Sequence, residues 1–296
     1  MLFSYEGEKM ENKIYKIAIL GCENTHANAF LEFIKKGLYP DIEVVGIYSD
    51  EKEVCQQLHE EYGVPMMENY DSLVGQVDGI MVTARHGDNH YKYAKPYLSS
   101  GIPMFIDKPI TIDVQEAETF MEEAKQHNVR LCGGSTCAYV LETQELANMV
   151  KEKKIGDCIG GNIICPLRVL EQYGGFYFYA QHLVQIMTEV FGTDVREVVA
   201  HQYGNEYTFI AKYNNFDVSA TYGGINYYYL TVAGKNNIQS RLLTINDESF
   251  KHELEEMIRL LKGGQQAFSY EEFILPVYIM NAIQRSVKTG KWEKIK

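Results

Sequence analysis

Six residues, Gly21-Cys22-Glu23-Asn24-Thr25-His26, follow a short apolar run and precede an amphipathic one. In α/β chains this is the turn that can hold the phosphates of a dinucleotide. That chemistry needs glycine at three positions: for the tight turn, for backbone approach to the pyrophosphate, and for packing of helix on strand. Only the first is present, which leaves Gly21, Asn24 and Thr25 as the candidate phosphate-facing residues. Glu23 opposes the role, because a carboxylate ~4 Å from a phosphate oxygen repels it by roughly 1 kcal/mol in water and ~4 kcal/mol at an effective dielectric of 20. Its side chain must point away, be protonated or be paired. Ser49 and Asp50 end the next apolar run. Asp50 could hold the adenosine ribose hydroxyls, as for NAD, whereas Ser49 with Lys52 leaves room for the 2′-phosphate of NADP. The same pair can equally cap the helix that follows. Glu23, His26, His86, Asp88 and His90 could converge at strand ends, where histidines and carboxylates can hold a divalent ion. No tight ligand spacing accompanies them, and no metal is expected.

These residues need a scaffold, and the chain supplies an alternation of short apolar runs with amphipathic stretches. Strands are predicted at 17–21, 42–48, 78–83, 104–106 and 129–132, with helices at 25–36, 51–62, 89–99 and 116–127 between them. Such alternation makes a doubly wound parallel sheet. Beyond Gly133 the pattern changes to strand-like segments at 158–165, 195–203, 206–213, 216–223 and 226–233, several joined by Asn/Gly turns. Helices are predicted near 142–153, 176–191, 248–261 and 270–289. The expected fold is therefore α/β: a Rossmann-like doubly wound parallel sheet over residues 13–132, then an α+β unit with an open, mostly antiparallel sheet over 133–296.

Several features together resemble the Gfo/Idh/MocA oxidoreductases, the glucose-fructose oxidoreductase and inositol dehydrogenase type. The stretch VVGIYSD followed by EEYGVP is similar to that family's second strand, helix and turn. Thr83, Arg85 and His90 lie in VTARHGDNH, which resembles its Thr-Pro-…-His loop with Ala84 in place of proline. Asp107-Lys108-Pro109 in MFIDKPIT looks like the Glu-Lys-Pro signature with aspartate for glutamate, the most specific element of the likeness. Residues 154–157 resemble the turn leading into the second domain, and residues 250–292 the closing helices. The likeness covers nearly the whole chain after Lys13. It implies hydride transfer between NAD or NADP and a secondary alcohol of a sugar, polyol or related compound. It also implies a cofactor bordered by Thr83, Arg85, His90, Asp107 and Lys108, with Lys108 and His182 as the catalytic pair. An alcohol that loses hydride needs a base for its hydroxyl proton; a near-neutral histidine serves, and a lysine depressed by burial can assist. A homodimer or homotetramer through an exposed sheet face follows from the same resemblance.

The pattern breaks on one helix face. Phe178 and Gln185 stand where the family places carboxylates beside the histidine, and positions 178, 182 and 185 share that face. The loop Gly134-Ser135-Thr136-Cys137-Ala138 also lacks the usual arginine. Two other readings follow: a cofactor- or ligand-sensing protein that lost turnover, or a metal-binding or non-nicotinamide enzyme on the same scaffold.

Composition limits the partners. Lys+Arg total 28 against 40 Asp+Glu, a formal net charge of -12, which disfavours nucleic acid and anionic lipid. The 6 cysteines form no CxxC pair and read as buried free thiols of a reducing compartment. Residues 1–12 are acidic without an apolar core, so neither a signal peptide nor an anchor is expected, and a cytoplasmic location is. The 22 tyrosines, many in the second half, could stack on sugars or pack a sheet face.

Overall fold

The computed structural model describes residues 13–296, and the expectation for residues 1–12 lies outside them. The first half runs β1 (Tyr15–Leu20), α1 (Thr25–Lys35), β2 (Ile42–Tyr48), α2 (Lys52–Tyr62), β3 (Gly79–Val82), α3 (Asp88–Ala94), β4 (Met104–Asp107), α4 (Val114–Gln126) and β5 (Leu131–Gly134). Its five strands are parallel in the order β2-β1-β3-β4-β5. Ile17, Ala18, Ile19 and Leu20 are all buried because helices cover both faces of the sheet. Ala18 and Leu20 face one core with Phe120 of α4, while Ile17 and Ile19 face a second with Phe30 of α1. The predicted helix at 89–99 ends early: α3 gives way to a 3-10 turn over 95–100, because Pro96 has no N–H to continue the ladder.

The second half continues α5 (Leu141–Lys151), β6 (Cys158–Pro166), α6 (Tyr177–Phe191), β7 (Glu197–Tyr203), β8 (Glu206–Lys212), β9 (Asp217–Gly223), β10 (Tyr228–Gly234), β11 (Ile238–Leu243), α7 (Asp247–Leu261), α8 (Tyr270–Phe273), α9 (Leu275–Thr289) and β12 (Glu293–Lys294). Seven strands form an open sheet in the order β11-β10-β6-β9-β8-β7-β12. All neighbours are antiparallel except β6 and β9. Along β8, Tyr207, Phe209 and Ala211 point into the core and Glu206, Thr208, Ile210 and Lys212 outward, the alternation of a sheet covered on one side. The long helix predicted at 270–289 is divided before Pro276, which sits in the first turn of α9.

Two features tie the halves together. β5 carries the first sheet to Gly134, two residues past the boundary drawn at 132/133, and α7 returns from the second half to pack Leu254, Met257, Ile258 and Leu261 into the core under α1. On α6, Gln181 Oε1 accepts from the Ile110 N–H at 3.0 Å and Gln185 Oε1 from the Ser135 N–H at 2.7 Å. The Gln181 amide also donates to Gln185 Oε1. Gly134 suits this place because its φ of +91° strains any residue with a side chain, and a Cβ would also displace the Gln185 amide.

Candidate active site

Strand order reverses between β1 and β3, and the C-terminal edge there is where open α/β sheets bind ligands. Gly21 turns the chain at φ +78°, and a Cβ on it would strike the backbone of Ala84. Thr83, fully buried, donates its hydroxyl to the Gly21 carbonyl at 3.0 Å and so fixes this turn from the β3 side. Asn24 caps α1 by accepting from the Thr25 N–H at 2.7 Å, and Thr25 is exposed at the helix start. The Glu23 carboxylate spans the edge: Oε2 accepts from the Ser49 hydroxyl at 2.7 Å and Oε1 from the Arg85 N–H at 2.9 Å. It is thus paired by neutral donors and does not turn away.

Asp50 is equally committed. Its oxygens accept from the hydroxyls of Tyr48 at 2.7 Å and Tyr93 at 2.8 Å. Those bonds, Tyr48's first, hold its carboxyl below the ordinary range against the opposing effect of burial. Arg85 reaches the Tyr173 hydroxyl at 3.2 Å and Glu51 at 3.6 Å, so the loop before α6 closes over the edge. A cleft of about 320 Å³ remains, lined by Glu23, Asp50, Glu51, Asp88, His86 and Tyr173 among others. His90 is a clamp between loops: its ring nitrogens lie 2.6 Å from the Pro109 carbonyl and 2.8 Å from that of Ala84, and burial pushes its pKa down to about 4.

His26 stands where the third glycine was sought, and it faces inward. Its Nδ1 is 3.1 Å from Asp107 Oδ2 and its Nε2 2.9 Å from Thr136 Oγ1 and 3.3 Å from Glu253 Oε2. Glycine is dispensable because the start of α1 packs on Phe250 and Glu253 of α7. Burial lowers the His26 pKa, with Asp107 opposing, and raises those of Asp107 and Glu253, the latter strongly. Asp107 Oδ2 accepts from the Asn24 amide at 2.7 Å and its Oδ1 from the Lys108 N–H at 2.6 Å. Of the set Glu23, His26, His86, Asp88 and His90, three line the cleft at the β1 turn while His26 and His90 face other partners, and no metal-holding group of three such residues occurs among the described residues.

Further along the edge, past β4, Lys108 and His182 share the neighbourhood of the Tyr179 ring. Lys108 is 4% exposed, and its Nζ lies 4.9 Å from the Phe178 ring centre and 6.0 Å from that of Tyr179. The His182 ring packs edge-on against Tyr179 at 4.6 Å. Its Nδ1 is 2.7 Å from Ser135 Oγ, and its Nε2 has no hydrogen-bond partner among the described residues. Arg168 stacks on Tyr179 at 5.3 Å. Neither Lys108 nor Arg168 forms an ion pair among the described residues. Burial first, then Lys108, His26 and Arg168, push the His182 pKa well below its ordinary value, so the ring is neutral. Beside it, burial raises the Cys137 thiol to about 12.

Glu253 and Gln181 were not found from sequence, whereas Tyr173 was among the tyrosines expected to stack on a sugar or pack a sheet face. Glu253 had a signal, an acid in the apolar stripe Phe250, Leu254, Met257, Leu261; Gln181 had none. The thiols are free, and Cys22 and Cys55 touch, Sγ to Sγ 3.2 Å.

A parallel sheet with its ligand edge at a strand-order reversal, faced by an open sheet and a helix that delivers a histidine, defines a two-part α/β protein of the dinucleotide-fold class. Residues 15–135 match the model of the oxidoreductase family with an NAD-binding Rossmann fold, Gfo/Idh/MocA. Glucose-6-phosphate 3-dehydrogenase of Bacillus subtilis is 25% identical over 147 residues, which are 49% of this chain and 40% of that relative's length. Myo-inositol 2-dehydrogenase from Lactobacillus plantarum superposes with a TM-score of 0.84 over 96% of this chain and 100% of its own, at 16% identity. GenD2 from gentamicin A biosynthesis, solved with NAD, gives 0.84 at 11% identity over 96% of this chain and 97% of its own. Residues 15–135 are thus similar to the Gfo/Idh/MocA family, and the fold of the chain is that of these structures. The family is NAD-binding, and the two ends of the edge fit such a cofactor differently. At the β4 end Asp107 is buried with its oxygens held by Asn24 and the Lys108 N–H, and the Lys108 ammonium forms no ion pair among the described residues. At the β1 turn the Glu23 carboxylate, bonded to Ser49 and the Arg85 N–H, sets a negative charge on the side from which a diphosphate would approach, and that charge does not suit one.

Proposed function

We propose that the chain is an NAD(P)-dependent oxidoreductase acting on a secondary alcohol of a sugar, polyol or related small molecule. The observation that carries this reading is that Lys108 and His182 both lie against the Tyr179 ring, at 6.0 Å and 4.6 Å from its centre. If His182 Nδ1–H donates to Ser135 Oγ, the Nε2 lone pair is free to take a hydroxyl proton. The nearby Lys108 ammonium stabilises the oxyanion as that proton leaves. With Phe178 and Gln185 where carboxylates would raise its basicity, His182 is a weak base, and Lys108 carries the larger share of the chemistry.

The test is absorbance at 340 nm with NAD and NADP across a panel of sugars, polyols and their phosphates. At least one pair is expected to reduce cofactor, and Lys108→Met is expected to lower kcat by roughly 10²- to 10⁴-fold. Absence of reduction across the panel, with the chain folded, defeats the reading. Phe178 and Gln185 favour a second reading, a cofactor- or ligand-sensing member without turnover, which the same panel supports if NADH fluorescence responds and absorbance does not. No helix among the described residues is long and apolar enough to cross a membrane. Self-association as a homodimer or homotetramer through the uncovered face of the seven-stranded sheet is part of the proposal. Thr208, Ile210, Ser240 and Leu242 lie outward there.

A further inference from the structure

We propose that Glu23 determines the affinity of this protein for a dinucleotide: its carboxylate occupies the anion position of the β1–α1 turn and has to leave before a diphosphate binds. The inference rests on the reading of the chain as an NAD(P)-dependent oxidoreductase. Ser49 follows β2 and Arg85 follows β3, the two strands that flank β1, so a carboxylate bonded to both lies across the crevice at the strand-order reversal. Its donors, a hydroxyl and a backbone N–H, are of the kind a phosphate oxygen would use there. Glu23 is 8% exposed, and both its oxygens are satisfied, so it is a built-in anion and not a loose side chain at the rim. Asp50, Glu51 and Asp88 line the same cleft, with Lys92 3.6 Å from Asp50 and the Arg85 guanidinium 3.6 Å from Glu51, so both cations are already engaged by those acids. A phosphate brought to ~4 Å from Glu23 is disfavoured by about five-fold in water and nearly a thousand-fold at an effective dielectric of 20.

Removing the charge should therefore tighten binding. Isothermal titration of NADH, ADP and adenosine into the full chain, as wild type, Glu23→Gln and Glu23→Gly, reads this directly, with melting temperatures reporting that each variant is folded. Glutamine keeps the shape and an acceptor for the Arg85 N–H, so it guards against a glycine variant that fails to fold. The expected result is a Kd for NADH and ADP at least about tenfold lower in Glu23→Gln than in wild type, with adenosine, which has no phosphate, unchanged. If wild type binds NADH and neither variant binds it more tightly, or if adenosine gains as much as ADP, the role of Glu23 is overturned while the oxidoreductase reading stands. If no folded form binds NADH or NADPH at millimolar concentration, both are overturned together.

Discussion

At the β1–β3 end of the sheet edge Glu23, Asp50, Glu51 and Asp88 gather around one cleft, and buried Glu23 and exposed Asp50 have every carboxylate oxygen in a hydrogen bond. At the β4 end Lys108, Arg168 and His182 surround Tyr179 without an acid partner. The first end is closed upon itself, and a ligand has to displace protein contacts to use it. The second holds an ammonium against aromatic faces, an arrangement worth about 0.5–2 kcal/mol, which a hydroxylate or an anionic group can better. A dinucleotide places its charge at the first end and its reactive ring at the second, so chemistry and affinity are governed by different residues.

Perturbing the basic end should give the largest effects, and the Lys108→Met loss of turnover heads them. Phe178→Asp would remove the asymmetry by placing a carboxylate beside Lys108 and His182. An opposite charge favours the imidazolium, so the His182 pKa should rise by roughly 1 to 3. Ring chemical shifts followed by NMR against pH check this, and an unmoved titration would show that the two side chains do not meet. Gln185→Ala tests the clasp that sets Ser135 and, through it, His182. The Ser135 N–H loses its acceptor at a cost of about 1–3 kcal/mol, a melting temperature lower by roughly 2–10 °C.

Glu253→Gln gives the smallest effect, and its sign depends on pH. Burial raises the folded carboxyl far above 4.5, so at higher pH the folded chain keeps a proton that the unfolded chain has released. Stability therefore falls as pH rises from about 4.5 toward the folded value. Asp107 has the same sign, whereas buried neutral His26 costs stability as pH falls below about 6.5. The variant lacks only the Glu253 contribution. Its melting temperature should gain on wild type from pH 5 to pH 8 by roughly 2–5 °C, and a constant difference would place the Glu253 proton elsewhere.

The first sheet was legible because fully apolar strands followed by amphipathic helices admit few arrangements; all five strands lie where the pattern put them, Ile42–Tyr48 to the residue. β11 was missed because Ile238 and Leu242 are exposed on a polar strand, and β12 because two residues carry no pattern. At the site, residue types pointed to Glu23 as a conflict, and the structure supplied the partners that settle where it points. Ser49 and Asp50 could read as ribose contacts or as a helix cap, but no side chain caps α2: Ser49 accepts from the Glu51 N–H just before it and donates to Glu23. Thr83 and His90, expected beside a cofactor, are held by backbone carbonyls, which sequence cannot display because the partners are not side chains. The His26–Asp107–Glu253 contact joins residues far apart in the chain, and only the return of α7 to the first sheet brings them together.

A crystal structure of the protein with NADH bound tests the division of labour along this edge most directly. The expected map has the diphosphate over Gly21, the Glu23 carboxylate released from Ser49 and Arg85, and the nicotinamide ring beside Lys108. A dinucleotide seated over the turn with Glu23 still bonded to both partners, or one bound away from the edge altogether, would contradict it.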